Sequence, residues 1–432
     1  MATIPAPRPD GLLSLKALQA MIRERSVLAA IEVFHQGLGN IFQLALPGFN
    51  AVMLVGPEAA RFVLVTSRDD VRWRSEGDPV THLLRDGVLV IDGDYHDRIR
   101  NLMNPSLHRQ MLTQYAEAMV ACTDQICGTW KSGNTYDMLV EMRKIALLIL
   151  VQTLFKVDFH PQLERLWQSI LKTLAYISPG LWMLWGSIPR PGYQKALTDM
   201  DDYLYQVIDI RRQDDHREDL LGALIDAGLD NGVIRDQLLT MLIAGHDTST
   251  ALLSWAFYLL GKHPDALQRA RAEVQQVIGN GLPGIEHAHQ LPYLGQVIDE
   301  ALRMYPPIHL GSRIAARDLE FDGRQIKAGT RVVYSIYLTH HMKTYWPSPH
   351  EFQPERFAVG IKHEPYTFLP FGGGPRNCIG AAFSQVEAKL VLARLLQKFD
   401  FDLQINRAYA YMGATLEPRP GVPMKVQLRQ TT

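Results

Sequence analysis

The sequence predicts a mainly α-helical fold with a minor β component, and three observations carry that prediction. Apolar residues recur every three or four positions through several long segments, the spacing of amphipathic helices. Strand-like runs bounded by turn residues occur only towards the two ends of the chain. The chain has 432 residues, 47% hydrophobic and 21% charged, which is enough for a large core and typical of a globular protein.

At the N-terminus, MATIPAPRPDG contains no apolar signal region, and no run of about 18 apolar residues occurs anywhere. The expectation is one domain over residues 1–432, with 1–30 as an N-terminal extension and no membrane anchor. Residues 41–55 read as two strands, IFQLAL and AVMLV, around the turn PGFN. The segment LWMLWGSI (181–188), bounded by Pro179 and Pro189, is too short to span a bilayer. It reads as a core loop, an apolar lid or a membrane-touching segment. The strongest helical pattern covers 233–260, with Leu238, Leu239, Leu242 and Ile243 on one stripe. A second helix over 294–305 is stopped by Pro306 and Pro307. A strand follows over 331–338, after the turn Lys327-Ala328-Gly329. A third helix begins after Cys378, with Ile379, Phe383, Val386, Leu390 and Ala393 spaced by three or four.

A formal net charge of -1 with no basic block gives no electrostatic footprint for nucleic acid. Three cysteines form no even disulfide framework, which fits a reducing, cytoplasmic compartment. Cys122 and Cys127, five apart in a helical stretch, read as buried helix residues.

Cys378 stands apart, in FGGGPRNCIG. An inert small hydrophobe, a nucleophile and a metal ligand are the readings open to it. The start of a helix favours a thiolate there, and Arg376 adds a nearby charge. Three glycines let the backbone approach a flat partner, and Gly380 removes a side chain where the helix meets a ligand. A nucleophile would want a histidine base, and zinc would want three or four clustered ligands. A single thiolate needing no other protein ligand points to haem.

With Phe371, Gly374, Arg376, Cys378 and Gly380 at fixed spacing, the segment resembles the haem-binding loop of the cytochrome P450 family. In that family the cysteine is the iron's protein ligand. The resemblance implies a fold with a long central helix over the haem and a small β-rich region. Further segments match in order, from about residue 30 to the C-terminus. In MLIAGHDTST a mid-helix Gly245 costs about 1 kcal/mol relative to alanine. Thr248 can bond back to the Ala244 carbonyl and widen the helix, and an acid beside an alcohol is a proton relay. This run resembles the family's oxygen-activating motif, with Asp247 and Thr248 as the implied catalytic pair.

Glu300 and Arg303 fall opposite the apolar stripe of their helix, so periodicity alone gives a solvated pair. The resemblance instead implies a buried structural network that they share with Arg356 of PERF. His96 and Arg100, four apart in DYHDRIRN, match the family's haem-propionate contacts, and Arg313 and Arg376 look like two more. Phe371, Gly380 and Ala244 complete the implied cofactor contacts.

The resemblance implies a monooxygenase with haem b, iron protoporphyrin IX, inserting one atom of dioxygen into an apolar small molecule. Its implied pocket comprises Leu83, Leu84, Ile243, Ala244, Thr248, Ile308, His309, Leu310 and Leu416, a lining suited to a lipid-, terpenoid- or steroid-like substrate. His309 offers one polar anchor. The chain has no flavin or nicotinamide fingerprint, so electrons are expected from a separate ferredoxin- or flavodoxin-type protein. A peroxygenase or isomerase on the same fold, and a non-catalytic haem sensor, are the alternatives.

Overall fold

The computed structural model describes residues 5–46, 49–179, 191–214 and 218–429. The 181–188 segment singled out in the sequence lies outside the described residues. Two N-terminal helices, α1 (Gly11–Glu24) and α2 (Val27–Leu38), lead into strands β1 (Ile41–Leu46) and β2 (Phe49–Val55). The β-rich region is a five-stranded sheet completed by β3 (Val71–Arg72), β4 (Leu310–Ala315) and β5 (Arg331–Ser335), in the order β1-β2-β5-β4-β3. The β2–β5 pair is parallel and the others are antiparallel. The strand expected to run to residue 338 ends at Ser335, whose hydroxyl accepts from the Leu338 N–H at 3.1 Å and caps a helical turn.

The helical body contains α3 (Pro79–Leu84), α4 (Gly93–Met103), α5 (Arg109–Cys127) and α6 (Met138–Leu150). Cys122 and Cys127 are buried on α5, as expected. The long central helix is not uniform. It comprises α7 (Asn231–Met241), a π-helical turn over Leu242–His246 and α8 (Asp247–Lys262). Two observations explain the turn. Thr248 Oγ1 donates to the Ala244 carbonyl at 2.6 Å, competing with the helix ladder. A Cβ on Gly245 would lie 2.4 Å from Leu150 Cδ1, so glycine lets α6 approach closely.

Helix α9 (Pro292–Met304) ends before the proline pair, and α10 (Ala381–Lys398) follows the cysteine loop. A hairpin of β6 (Tyr409–Met412) and β7 (Leu416–Arg419) returns to the central helix. The main core gathers α5, α6, α8, α9 and α10, with Trp255 and Phe257 fully buried, while two smaller clusters sit against the sheet. Among the described residues no helix is long and apolar enough to cross a membrane.

Candidate functional site

The cysteine loop is closed by the Cys378 N–H donating to the Phe371 carbonyl at 2.8 Å. Gly374 adopts φ +67°, and a Cβ there would sit 2.5 Å from the Leu64 carbonyl oxygen, so no other residue fits the turn. Helix α10 starts at Ala381 with Gly380 as its N-cap, three residues beyond the position that the sequence gave the cysteine. The expected helix-end stabilisation of a thiolate is therefore outweighed. Burial pushes the Cys378 thiol up, while the Gly380 N–H and the Arg100 charge pull it back. Cys378 nevertheless keeps accessible surface, as a side chain on the wall of a cleft does.

The same loop, through Pro375 and Arg376, lines a cavity of about 250 Å³ together with His96, Arg313, Asp92, Arg72 and Asp97. Arg313 is only 8% exposed, gives one N–H to the Ser312 carbonyl at 2.7 Å and lies 5.3 Å from the Trp73 ring centroid. His96 is buried, and burial followed by the Arg376 charge lowers its pKa. Arg376 Nη1 donates to Asp92 Oδ1 at 2.7 Å and Nη2 donates to the Ile91 carbonyl. Asp92 also accepts the Trp73 and Arg74 N–H groups at 3.1 and 3.0 Å. Arg100 is set apart from these three. Its Nη2 donates to the Asn377 carbonyl at 2.8 Å, beside the cysteine rather than in the cavity.

These residues fit an anionic, flat, iron-bearing group. Arg68, Arg72, His96, Arg313 and Arg376 line one cavity, against three aspartates, and a Cβ on Gly380 would meet no protein atom within 4 Å. Among the described residues no cluster of three or more His, Cys, Asp or Glu could hold a metal ion.

On the central helix, Asp247 is 1% exposed and its carboxylate is fully engaged. Arg143 of α6 donates to Oδ1 at 3.1 Å, and Thr415 donates to Oδ2 at 2.8 Å. Arg143 also reaches Glu417 of β7. The acid and the alcohol of the expected pair are thus adjacent but bonded elsewhere, Asp247 to α6 and the hairpin, Thr248 to Ala244. Ser249 donates to Glu387 of α10 at 2.5 Å, and burial raises the Glu387 pKa to about 8. His246 is fully buried, and desolvation followed by the Arg143 charge lowers its pKa to about 3.

Glu300 and Arg303 are both fully buried. Arg303 Nε and Nη2 donate to the two Glu300 oxygens at 2.7 and 2.8 Å, and Nη1 donates to the His340 carbonyl at 2.9 Å. Arg356 Nε approaches Glu300 Oε1 to 3.4 Å. Periodicity alone misjudged this pair, because α9 is packed on both faces.

The nine expected pocket residues differ in their surroundings. Leu83, Leu84 and Ile243 are buried in the helical core, with Ala244 and Thr248 half-buried nearby in sequence. Leu416 is fully buried in a sheet-side cluster that Leu310 packs against. Its N–H donates to the Pro307 carbonyl and its carbonyl accepts Trp255 Nε1. Ile308 is 41% exposed. His309 is buried, its Nδ1 is 3.4 Å from the Pro307 carbonyl, and burial lowers its pKa to about 4.

The architecture and the cysteine loop define a haem-thiolate protein class, and comparison with known proteins bears this out. The Cytochrome P450 family profile matches residues 5–415, so the chain belongs to the cytochrome P450 family. Cytochrome P450 139 of Mycobacterium tuberculosis is 30% identical over 423 residues, covering 92% of this chain and 97% of that protein. Cyclooctat-9-en-7-ol 5-monooxygenase of Streptomyces melanosporofaciens is 29% identical, covering 84% and 82% respectively. The solved structure of retinoic acid-bound cyanobacterial CYP120A1 superposes with a TM-score of 0.86 at 26% identity, covering 99% of this chain and all of that one. The protein is therefore an oxidoreductase of the monooxygenase type, and its family implies a haem-thiolate iron cofactor, dioxygen and a redox partner.

Proposed function

We propose that this chain is a single-domain monooxygenase that binds haem b through Cys378 and oxygenates an apolar, lipid-, terpenoid- or steroid-like molecule. The observation that carries the reading is an exposed Cys378 two residues after Arg376, which with His96 and Arg313 lines one cavity. When bound, the haem supplies the iron centre at which dioxygen is reduced, one oxygen atom going to substrate and the other to water. The protein's part is to position and to move protons. Cys378 ligates the iron as a thiolate, a form that metal binding favours over the raised thiol pKa. Arg313 and Arg376 would neutralise the two propionates and His96 would hydrogen-bond to one of them, with Arg100 holding the loop at Asn377. Thr248 keeps a proton at Oγ1, directed to the Ala244 carbonyl until the hydroxyl is drawn towards the reacting oxygen. Asp247 delivers protons after exchanging its Thr415 contact.

The apolar substrate class is supported by Leu83, Leu84 and Ile243 in the helical core, and by the small molecules named for two relatives. Electrons come from a separate ferredoxin- or flavodoxin-type donor that docks near Arg376, in keeping with the cytoplasmic setting expected from the sequence. Turnover separates the alternatives. Product formed with oxygen and reductant, and not with peroxide alone, is the expected result, and product with peroxide alone would give the site to a peroxygenase. A haem sensor predicts that Thr248→Ala changes nothing. Screening a compound library for the spectral shift that accompanies displacement of iron-bound water identifies the substrate.

A further inference from the structure

Among the described residues the exposed large apolar side chains are widely spread, but they are densest in one short segment. Leu12, Leu15, Leu18, Ile22 and Val27 all lie in the first two helices, and Leu12 and Ile22 are 63 and 67% exposed. At about 100° per residue, Leu12, Leu15, Leu18 and Ile22 fall within one ~120° arc of α1. The other face is already used, since Ala17 is buried and Leu13 packs where Gly37 of α2 leaves room. Helix α1 therefore carries two apolar faces, one covered by α2 and one turned outward.

Basic side chains outnumber acidic ones around the outward face. Lys16 and Arg23, seven apart, border the stripe, and Arg25 follows at the helix end over the Tyr409 ring at 5.1 Å. The β6–β7 hairpin continues the face with Arg407, 4.9 Å from the Tyr409 ring, and Arg419, 4.9 Å from the half-exposed Tyr411 ring. The acids of the region are engaged internally. Asp10 caps α1, Glu24 pairs with Arg23 and Arg407, and Glu417 is buried against Arg143 and Arg419.

We infer that this face rests on an anionic phospholipid bilayer, with the leucine stripe among the acyl chains and the basic rim at the headgroups. Leucines framed by lysine and arginine, beside two tyrosines, match the interfacial mode of binding. A second copy of the chain fits less well. A two-fold contact would set the arginines of each copy against those of the other, with only Asp10 and the already paired Glu24 to answer them. One face of a 14-residue helix also falls short of the roughly 800 Å² per partner of a stable interface. The inference does not depend on the haem chemistry.

The test is cosedimentation of the full-length holoprotein with vesicles of phosphatidylcholine or of an equimolar phosphatidylcholine–phosphatidylglycerol mixture. Partitioning is expected to be about tenfold or more stronger into the mixed vesicles, and to weaken with salt. Leu15→Ser with Ile22→Ser should lower it about tenfold at an unchanged thermal midpoint. Lys16→Gln with Arg23→Gln should remove the preference for the anionic lipid. Equal partitioning into both vesicles, or no difference between the Leu15→Ser/Ile22→Ser variant and the parent, overturns the inference. A concentration-dependent dimer abolished by that variant also overturns it, by giving the face to a second copy. Hydrogen exchange needs no variant. Residues 11–25 of the unaltered protein should gain protection with mixed vesicles, and unchanged exchange there contradicts bilayer contact.

Discussion

Two of the buried ion clusters among the described residues are built differently. In Glu300–Arg303–Arg356, one arginine meets both oxygens of the carboxylate and gives its remaining reach to a backbone carbonyl. In Asp247–Arg143–Glu417, a single nitrogen, Nη2, serves two acids, and Arg143 Nε is buried without a hydrogen-bond partner. The first cluster pairs both carboxylate oxygens with one guanidinium and joins α9 to the Pro354–Phe357 turn ahead of the cysteine loop, although Arg356 Nε is also buried without a hydrogen-bond partner. The second is unevenly satisfied and lies beside a π-helical turn, with a threonine hydroxyl as one of its members. A two-point pair of the first kind fixes a fold, whereas a nitrogen shared by two acids leaves a group able to exchange partners.

Removing an arginine from each cluster tests that contrast. Arg303→Ala removes both short charge-assisted bonds to Glu300, leaves it the Gln353 N–H and Arg356 at 3.4 Å, and should cost about 3–5 kcal/mol, read as a lower unfolding midpoint and poor soluble yield. Arg143→Met leaves Asp247 with Thr415 and Glu417 with Arg419, so its cost should be smaller, about 1–3 kcal/mol. Equal losses would erase the distinction between the clusters.

Glu387 is a third buried acid, and its contact is a hydroxyl rather than an arginine. Its folded pKa of about 8 lies above the ordinary 4.5, so between those values the folded state holds a proton that the unfolded chain releases. Its contribution is fully present below the lower value and is lost as pH rises through the upper one. Glu387→Gln should flatten this decline by up to about 1.4 kcal/mol per pH unit, measured by denaturation across that window. An unchanged slope would place the charge elsewhere. Thr248→Ala should have the smallest effect on stability, within about 1 kcal/mol. It should nevertheless divert reducing equivalents to peroxide and lower product per electron by about tenfold. Unchanged coupling would remove the hydroxyl from proton handling.

What was legible in the sequence was local. The glycines, Arg376 and Cys378 stand within ten residues, and Gly245, Asp247 and Thr248 within four, so spacing alone exposes their chemistry. The π-helical turn also followed from residues four apart, Ala244 and Thr248. The partners of these groups were not legible. Arg143, Thr415, Glu387 and Asp92 reach the site from sequence separations of 104, 168, 138 and 284 residues, and each looks like an ordinary surface residue in its own segment. Hydrophobicity likewise failed to separate Ile308, which is exposed, from Leu416, which is wholly buried, because both are simply apolar. The outward leucines of α1 are hidden for the same reason, since a helix stripe does not say what covers it.

The central claim is that Cys378 is the iron's protein ligand, and the ferrous–carbon monoxide complex tests it most directly. The account predicts the red-shifted Soret band of thiolate ligation in the unaltered protein, and its loss in Cys378→Ala. A band at the unshifted position in the unaltered protein, or a red-shifted band that survives Cys378→Ala, would contradict it.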